Sequence, residues 1–153
     1  MSDVAGIYAR ESTYLDRYVQ VGVAQGRVIS VSFPETPDEG AETDHDLLDR
    51  IDAYLDGVDE TFEDVQVALT VPTDQRKILE AVREIPYGQD SSVTQLARMT
   101  PGLDDESDDD IRAVREALTE NPAPLLIPDH RVRDGPGATP PAVVDKLRSV
   151  EGI

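Results

Sequence analysis

The stretch YVQVGVAQGRVISVSF, residues 18–33, alternates between apolar and small or polar residues on both sides of a Gln-Gly pair. Before the pair, one face carries Val19, Val21 and Val23. After the pair, Ile29, Val31 and Phe33 lie on the face opposite Val28, Ser30 and Ser32. A period of two with a short break containing glycine is typical of two strands joined by a tight turn. The stretch therefore predicts a β-hairpin.

The rest of the N-terminal part predicts one helix and one short strand. Four apolar residues recur at helical spacing before Gly57, which ends the helix: Leu47, Leu48, Ile51 and Leu55. The segment VQVAL, residues 65–69, has the composition of a strand. Pro72 marks the boundary to a second part, so we expect an N-terminal α+β domain in residues 1–70 and a second domain in residues 71–153.

The second part predicts helices. The first lies in residues 73–84, with apolar positions at Ile78, Leu79 and Val82. Ser92 followed by Gln95 forms a capping box that starts another helix. A third helix, DIRAVREALTE, has an apolar face opposite an exposed polar face that carries Arg112, Arg115 and Thr119. This order is typical of a helix-turn-helix. The predicted fold is α+β, with a small sheet-and-helix domain packed on a helical, winged-helix-like domain.

The composition excludes several kinds of site. The chain of 153 residues has no cysteine, so it can have no disulfide, thiolate metal site or cysteine nucleophile. We see no metal-ligand pattern around His45 or His130, the only histidines, and no motif for a cofactor. No apolar run approaches the ~20 residues that span a bilayer, and the N-terminus lacks the pattern of a secretion signal. We expect a monomeric, soluble, cytoplasmic protein.

The charge is strongly negative, at −18, with 32 acidic and 14 basic residues. Such a surface stays soluble in concentrated salt, which indicates adaptation to the salt-loaded cytoplasm of a halophile. A basic partner, or mimicry of nucleic acid, is the alternative. At about 1 M salt the Debye length is about 3 Å, so the charge would not forbid DNA binding there, although it removes the usual long-range attraction.

Several short motifs then occur in a characteristic order. ILEAVREIPYG begins at residue 78, LAR and RAV follow, and NPAPLLIP precedes HRV, which ends at residue 132. In this order and at this spacing they resemble the C-terminal domain of the alkylguanine-DNA alkyltransferase family. The match is close over about residues 73–133 and loose to the end of the chain. The resemblance implies a DNA-binding protein of DNA repair that contacts double-stranded DNA through the minor groove and needs no dissociable cofactor.

The resemblance places Asp129 where the family holds its alkyl-accepting cysteine. That thiolate takes an alkyl group from the exocyclic oxygen of a damaged guanine, whereas a carboxylate is a weaker, well-hydrated nucleophile. We therefore expect no alkyl transfer. Alkyltransferase-like proteins also lack the cysteine, bind damaged DNA and call in other repair proteins, although they usually carry tryptophan at this position. Because an ionised carboxylate only accepts hydrogen bonds, a base entering this pocket should present an amino group to Asp129.

The neighbouring residues match the family's site in part. His130 corresponds to the histidine that helps to deprotonate the cysteine, and Asp145 falls near the glutamate that orients this histidine. Arg131 follows the histidine as in the family, and it is a candidate for a structural salt bridge or for a DNA contact. The degenerate site is thus predicted to comprise Asp129, His130 and Asp145.

The resemblance also implies a DNA-binding surface. Arg112 matches the arginine finger that enters the duplex and takes the space of a flipped nucleotide. Asn121 matches the hinge between the recognition helix and the pocket. Ser92, Arg115 and Thr119 complete the predicted DNA contacts.

Other positions depart from the family. Val93 stands where a tyrosine helps to rotate the phosphate of the lesion, and Arg115 and Glu116 replace two small residues of the recognition helix. The segment RDGPGATPP is shorter than the family's and lacks its Gly-Tyr lid, while the loop DDESDDD is longer and strongly acidic. Its last aspartates suit a helix N-terminus but would repel phosphate.

Three functions remain open at this point. The first is a non-enzymatic DNA-binding protein that senses a damaged or flipped base. The second is a degenerate relative that acts as a protein-interaction or regulatory module. The third is an enzyme that uses Asp129 as the alkyl acceptor, through an ester that could hydrolyse.

Overall fold

The structure, a computed structural model, describes residues 6–153. Residues 1–5, where the predicted N-terminal domain begins, lie outside this range. Three antiparallel strands form a sheet in the order β1-β2-β3, and their bounds are β1 (Gly6–Ser12), β2 (Arg17–Ala24) and β3 (Arg27–Ser32). Within residues 6–153, none of the helices has both the length and the apolar character that crossing a membrane requires.

The predicted hairpin is confirmed as β2 and β3. Its turn consists of Gln25 and Gly26, whose φ angles of 53° and 74° both lie in the left-handed region. Two left-handed residues in succession give the backbone twist that matches a two-residue hairpin. Strand β1 was not predicted from the sequence.

Five α-helices follow the sheet, and the predicted ones are confirmed. Their bounds are α1 (Asp46–Leu55), α2 (Thr73–Arg83), α3 (Val93–Met99), α4 (Asp108–Thr119) and α5 (Pro141–Glu151). A 3₁₀ turn, Asp129–Arg131, lies between α4 and α5. Ser92 caps α3 in the predicted capping box, in which its hydroxyl accepts from the backbone amide of Gln95 at 3.1 Å.

The predicted strand at residues 65–69 is wrong. Only Val67 forms an isolated bridge, with Val28 of β3. The flanking backbone bonds, from Val28 to Gln66 and from Ala68 to Val28, are 2.9 and 2.8 Å long. The segment therefore pairs with β3 at one residue only. Its side chains are half buried or exposed, so little packing holds it along the strand.

One hydrophobic core joins the sheet to the helices. Val21 and Val31 of the sheet, Ile51 of α1, and Leu79 of α2 all belong to it, and the backbone amide of Val31 donates to the carbonyl of Pro122 at 3.0 Å. The fold class is α+β, as predicted. The division into two domains at residue 70 stays a prediction. In the described part of the chain after residue 70, the strand pairing consists of two isolated bridges, Ser91 with Val132 and Pro124 with Ile127, so the winged-helix character stays a prediction.

Candidate functional site

Asp129 lies on the 3₁₀ turn directly after the buried run that ends at Ile127. Its side chain is enclosed, with 3% of the residue exposed. Oδ1 accepts from the Thr139 hydroxyl at 2.5 Å. Oδ2 accepts from the backbone amide of Ala138 at 2.8 Å and from the side-chain amide of Asn121 at 3.0 Å. We call these four residues the Asp129 cluster.

The surroundings of this carboxyl affect its pKa in two opposing ways. Burial raises the pKa of Asp129 above its ordinary value, and the hydrogen bonds from Thr139, Ala138 and Asn121 offset part of that rise. Because all three partners donate, the cluster suits the ionised carboxylate. Protein groups occupy three of the roughly four acceptor sites of the carboxylate, two on Oδ2 and one on Oδ1.

Gly137 covers the carboxylate from outside. A Cβ atom at this position would lie 2.7 Å from Cγ of Asp129, which is closer than two carbon atoms can approach. The backbone of Gly137 therefore rests directly on the carboxyl group, while the residue itself is exposed on its other side. Only glycine fits here, since its missing side chain allows this close approach.

A second buried cluster surrounds Glu151, the last residue of α5. Its Oε2 lies 2.6 Å from Nε2 of His130 and 3.1 Å from Nη2 of Arg131, and its Oε1 accepts from Nε of Arg131 at 2.8 Å and from the Gly88 amide at 3.0 Å. The Tyr54 hydroxyl of α1 also donates to Oε2. We call these five residues the Glu151 cluster, which ties α1 to the 3₁₀ turn and α5.

Glu151 is ionised in this setting. Burial alone would raise the pKa of Glu151, but the hydrogen bonds from His130 and Arg131 outweigh burial and lower the pKa to about 2. The same burial, together with the negative charge of Glu151, raises the pKa of Tyr54 far above its ordinary value. Tyr54 therefore remains a neutral hydroxyl that donates to the carboxylate.

The structure corrects the assignment of Asp145 as the acid beside His130. Asp145 is exposed on α5, and Glu151 holds the imidazole instead. The spacing of buried residues on α5 explains this result. Val143 and Leu147 are fully buried at an interval of four, and Glu151 continues the same stripe, whereas Asp145 lies off it.

His130 and Arg131 are both buried in the Glu151 cluster. Arg131 is 6% exposed, its Nη1 donates to the carbonyl of Ile85 at 2.7 Å, and its guanidinium lies 5.8 Å from the centre of the Tyr87 ring. The interpretation of Arg131 as a DNA contact is therefore corrected, because this side chain forms the structural salt bridge. Nδ1 of His130 is buried without a hydrogen-bond partner in the described structure.

Asn121 connects the Asp129 cluster to the end of α4. Its Nδ2 donates to Asp129 and to the carbonyl of Ile127, the latter at 2.9 Å, and its Oδ1 accepts from the Ala123 amide at 3.0 Å. The residue is 4% exposed. Asn121 therefore braces the backbone between α4 and the 3₁₀ turn.

The exposed face of α4 brings three predicted DNA contacts together. Arg112, Arg115 and Thr119 line one surface groove, which they share with Glu116 and Glu120. The side chain of Arg112 is 69% exposed and lies 3.7 Å from Asp109, which is itself 89% exposed. Such a pair is loose, because water screens it and both side chains are free to move. The guanidinium of Arg112 is thus available to a ligand.

The acidic residues at the N-terminus of α4 stabilise that helix. Ser107 caps the helix by accepting from the Asp110 amide at 3.3 Å, and Asp108, Asp109 and Asp110 occupy the first turn. Carboxylates at this end interact favourably with the helix dipole. Ser92 has a similar local role, since its hydroxyl caps α3, and the structure brings it into neither buried cluster.

Sequence reasoning missed Glu151, Tyr54, Ala138 and Thr139. The stripe at residues 143, 147 and 151 would have identified Glu151. Tyr54 continues the apolar face of α1 three residues after Ile51, but nothing in its spacing points to a bond with Glu151. Thr139 lies ten residues from Asp129 in an irregular segment, and no pattern in the sequence links them.

Known proteins of one family match this chain. Residues 73–142 match the family described as 6-O-methylguanine DNA methyltransferase, DNA binding domain. A methylated-DNA–protein-cysteine methyltransferase of Methanopyrus kandleri is 34% identical over 96 residues, which cover 63% of this chain and 68% of that protein. The protein of the same name from Archaeoglobus fulgidus is 29% identical over 119 residues, covering 75% of this chain and 72% of that protein.

Solved structures show the same fold. The crystal structure of Mycobacterium tuberculosis OGT in complex with DNA superposes with a TM-score of 0.69 at 22% identity, covering 95% of this chain and 90% of that one. The O6-methylguanine-DNA methyltransferase of Pyrococcus kodakaraensis superposes with a TM-score of 0.70 at 18% identity, covering 97% and 100%. The fold and the sequence relatives agree, and the chain belongs to the methylated-DNA–protein-cysteine methyltransferase family.

Proposed function

We propose that this protein is a non-enzymatic, DNA-binding member of the alkyltransferase family that senses damaged DNA. Helix α4 contacts the minor groove of double-stranded DNA, and Arg112 enters the duplex where base pairs open easily. The observation that carries the proposal is a contrast within the structure. Helix α4 carries the exposed Arg112 in its second turn, while the acceptor position holds a buried carboxylate that accepts hydrogen bonds on both oxygens.

The buried carboxylate supports the loss of alkyl transfer. A nucleophile needs a free lone pair aimed at the reacting carbon, and the groups that donate to Asp129 lower the electron density of both oxygens. The chain also offers no thiol elsewhere. His130, whose counterpart deprotonates the family's cysteine, keeps a glutamate partner in Glu151, so the proposed loss rests on the acceptor position and not on the histidine.

The distribution of charge favours the second part of the chain, which contains α4, over the first part as the side that meets DNA. Residues 1–70 hold 16 acidic and four basic residues, whereas residues 71–153 hold 16 and ten. Repulsion of a phosphate backbone is therefore weaker in the second part. The known DNA complex of the structural relative OGT adds support for a DNA-binding role of this fold.

Replacing Arg112 by alanine should weaken binding to duplexes that contain a mismatch or an alkylated guanine. The inserted side chain stabilises the opened pair, so we expect a loss of roughly 10- to 100-fold in affinity. Fluorescence anisotropy of labelled duplexes measures this. Arg27→Ala is the matched control, since it removes the same charge from an exposed position at the hairpin turn.

Repeating the binding measurement at several salt concentrations adds a second criterion. Between about 0.1 and 1 M KCl the Debye length falls from about 10 to about 3 Å, so long-range repulsion by the acidic surface weakens. We expect the affinity to hold or rise over this range, unlike that of basic DNA-binding proteins. Equal losses in Arg112→Ala and Arg27→Ala, or no binding by the folded protein at any salt concentration, would refute the proposal.

Incubation with duplexes that carry O6-methylguanine should leave the mass of the intact protein unchanged. The reason is the enclosed carboxylate, which can neither reach the alkyl carbon nor act as a strong nucleophile. Intact-mass spectrometry detects the addition of a methyl group directly. An added methyl group that maps to Asp129 would establish the carboxylate as an acceptor and would contradict the non-enzymatic assignment.

A further inference from the structure

The segment that follows the 3₁₀ turn is folded onto Asp129. Thr139 is 4% exposed and gives its hydroxyl to the carboxylate, and the next amide along, at Ala138, points to the other oxygen. Gly137 lies flat against Cγ. Residues 137–139 therefore occupy the space in front of the acceptor position.

The start of the segment is also held closely. A Cβ atom at Gly135 would lie 2.9 Å from Leu118 of α4 and 3.0 Å from Val93 of α3. The segment thus presses against both helices before it crosses Asp129. Its path is fixed at two points, by apolar contact at Gly135 and by hydrogen bonds at Ala138 and Thr139.

We infer that the Asp129 cluster closes the former acceptor pocket, so that the protein binds DNA without taking a displaced base into it. Asp129 and Thr139 are then the residues that determine specificity, because they exclude the base. This inference rests on the proposed DNA binding. The protein would recognise how easily a base pair opens, and the chemistry of the group on the base would have little effect.

Residues 137–139 fill the space in front of the acceptor position, which supports a closed pocket. A purine that reached Asp129 would have to displace residues 137–139 and leave the buried carboxylate without its donors. Four surface cavities of the described residues, the groove on α4 among them, are lined by residues other than Asp129. The groove nearest to the proposed DNA contacts is lined by α4 alone. A base displaced by Arg112 would therefore remain on the outside of the protein.

Asn121 extends the effect of closure to the recognition helix. The same Nδ2 that donates to Asp129 also holds the carbonyl of Ile127. Opening of the pocket would remove one of the three side-chain hydrogen bonds that hold Asn121 just after the end of α4. The closed cluster thus contributes to the position of the helix end seen here.

The closure itself can be tested on the protein without DNA. Hydrogen exchange followed by NMR should show slow exchange of the Ala138 amide in the wild type. Asp129→Ala removes its acceptor, and we expect its exchange to accelerate roughly 10- to 100-fold. Asp129→Asn is the conservative control, since its carbonyl oxygen can still accept from Ala138 while its amide faces the Thr139 hydroxyl. Thr139→Val, which removes one donor at similar volume, gives a second variant should Asp129→Ala not fold.

Base entry can be tested with a duplex that contains 2-aminopurine in a mismatch. Stacked 2-aminopurine is quenched by its neighbours, whereas a displaced base fluoresces; a displaced base in a protein pocket is shielded from acrylamide, and one in solvent is not. We expect no shielding in the wild type, and shielding in Asp129→Ala or Thr139→Val if either variant opens the pocket.

The outcomes separate this inference from the proposed function. Fast exchange of the Ala138 amide in the wild type, or shielding of 2-aminopurine by the wild type, would overturn closure even though DNA binds. Absence of DNA binding would overturn the proposed function, while slow exchange at Ala138 that is lost in Asp129→Ala would still establish the closed pocket.

Discussion

Replacing Glu151 by glutamine should lower the free energy of unfolding by about 3–5 kcal/mol, the usual cost of removing one partner from a buried ion pair. Glu151 is the single anion among two buried basic side chains, a tyrosine hydroxyl and a backbone amide. Its side chain is fully buried. Glutamine keeps the volume but brings an NH₂ group against donors, and it leaves Arg131 buried without a counter-charge.

Urea unfolding followed by circular dichroism measures this effect. Asp145→Asn is the matched control, because it removes one negative charge from the same helix at an exposed position. The control should change the free energy of unfolding by no more than about 0.5 kcal/mol. A similar, small effect of both substitutions would mean that the Glu151 cluster does not hold the helices together.

The stabilisation by Glu151 should disappear in acid. The pKa of Glu151 is lowered from its ordinary value of 4.5 to about 2 in the folded protein, so the folded state holds the ionised form more strongly than the unfolded chain does. The contribution is fully present above pH 4.5, declines as the pH falls below that value, and is lost once the pH passes about 2. A shift of this size corresponds to about 3 kcal/mol.

The difference between wild type and Glu151→Gln isolates this effect from the titration of the many surface carboxylates. Urea unfolding of both proteins between about pH 7 and pH 3, in about 1 M salt to screen surface repulsion, should show curves that converge as the pH falls. A difference that stays constant over this range would show that Glu151 titrates alike in the folded and unfolded states.

Local patterns predicted much of the fold. The alternation around Gln25 and Gly26 and the capping box at Ser92 depend on residues a few positions apart, and each was confirmed. Strand β1 was missed because Gly6–Ser12 has little alternation of its own, and its pairing with β2 fixes it. The strand predicted at residues 65–69 failed for the opposite reason, since its composition suits a strand but it meets β3 at one bridge only.

The site residues also divide into those that a local motif identifies and those that only the fold brings together. Asp129, His130 and Arg131 are adjacent in sequence, so one motif identified all three. Their partners come from elsewhere: Tyr54 from α1, Thr139 from an irregular segment, and Glu151 from the end of α5. The assignment of Asp145 failed because it came from a loose alignment to the family, whereas the helical period of α5 places Glu151 on the buried stripe.

The enclosure of Asp129 also determines what a cysteine at this position would meet. A substitution Asp129→Cys would restore the thiol, but it would leave the Thr139 hydroxyl, the Ala138 amide and the Asn121 amide without the oxygens to which they donate. A cysteine is therefore unfavourable at position 129 in the present surroundings unless residues 137–139 change as well. Packing around the aspartate makes the residue at position 129 dependent on its donors, so this position and the segment that covers it would have to change together.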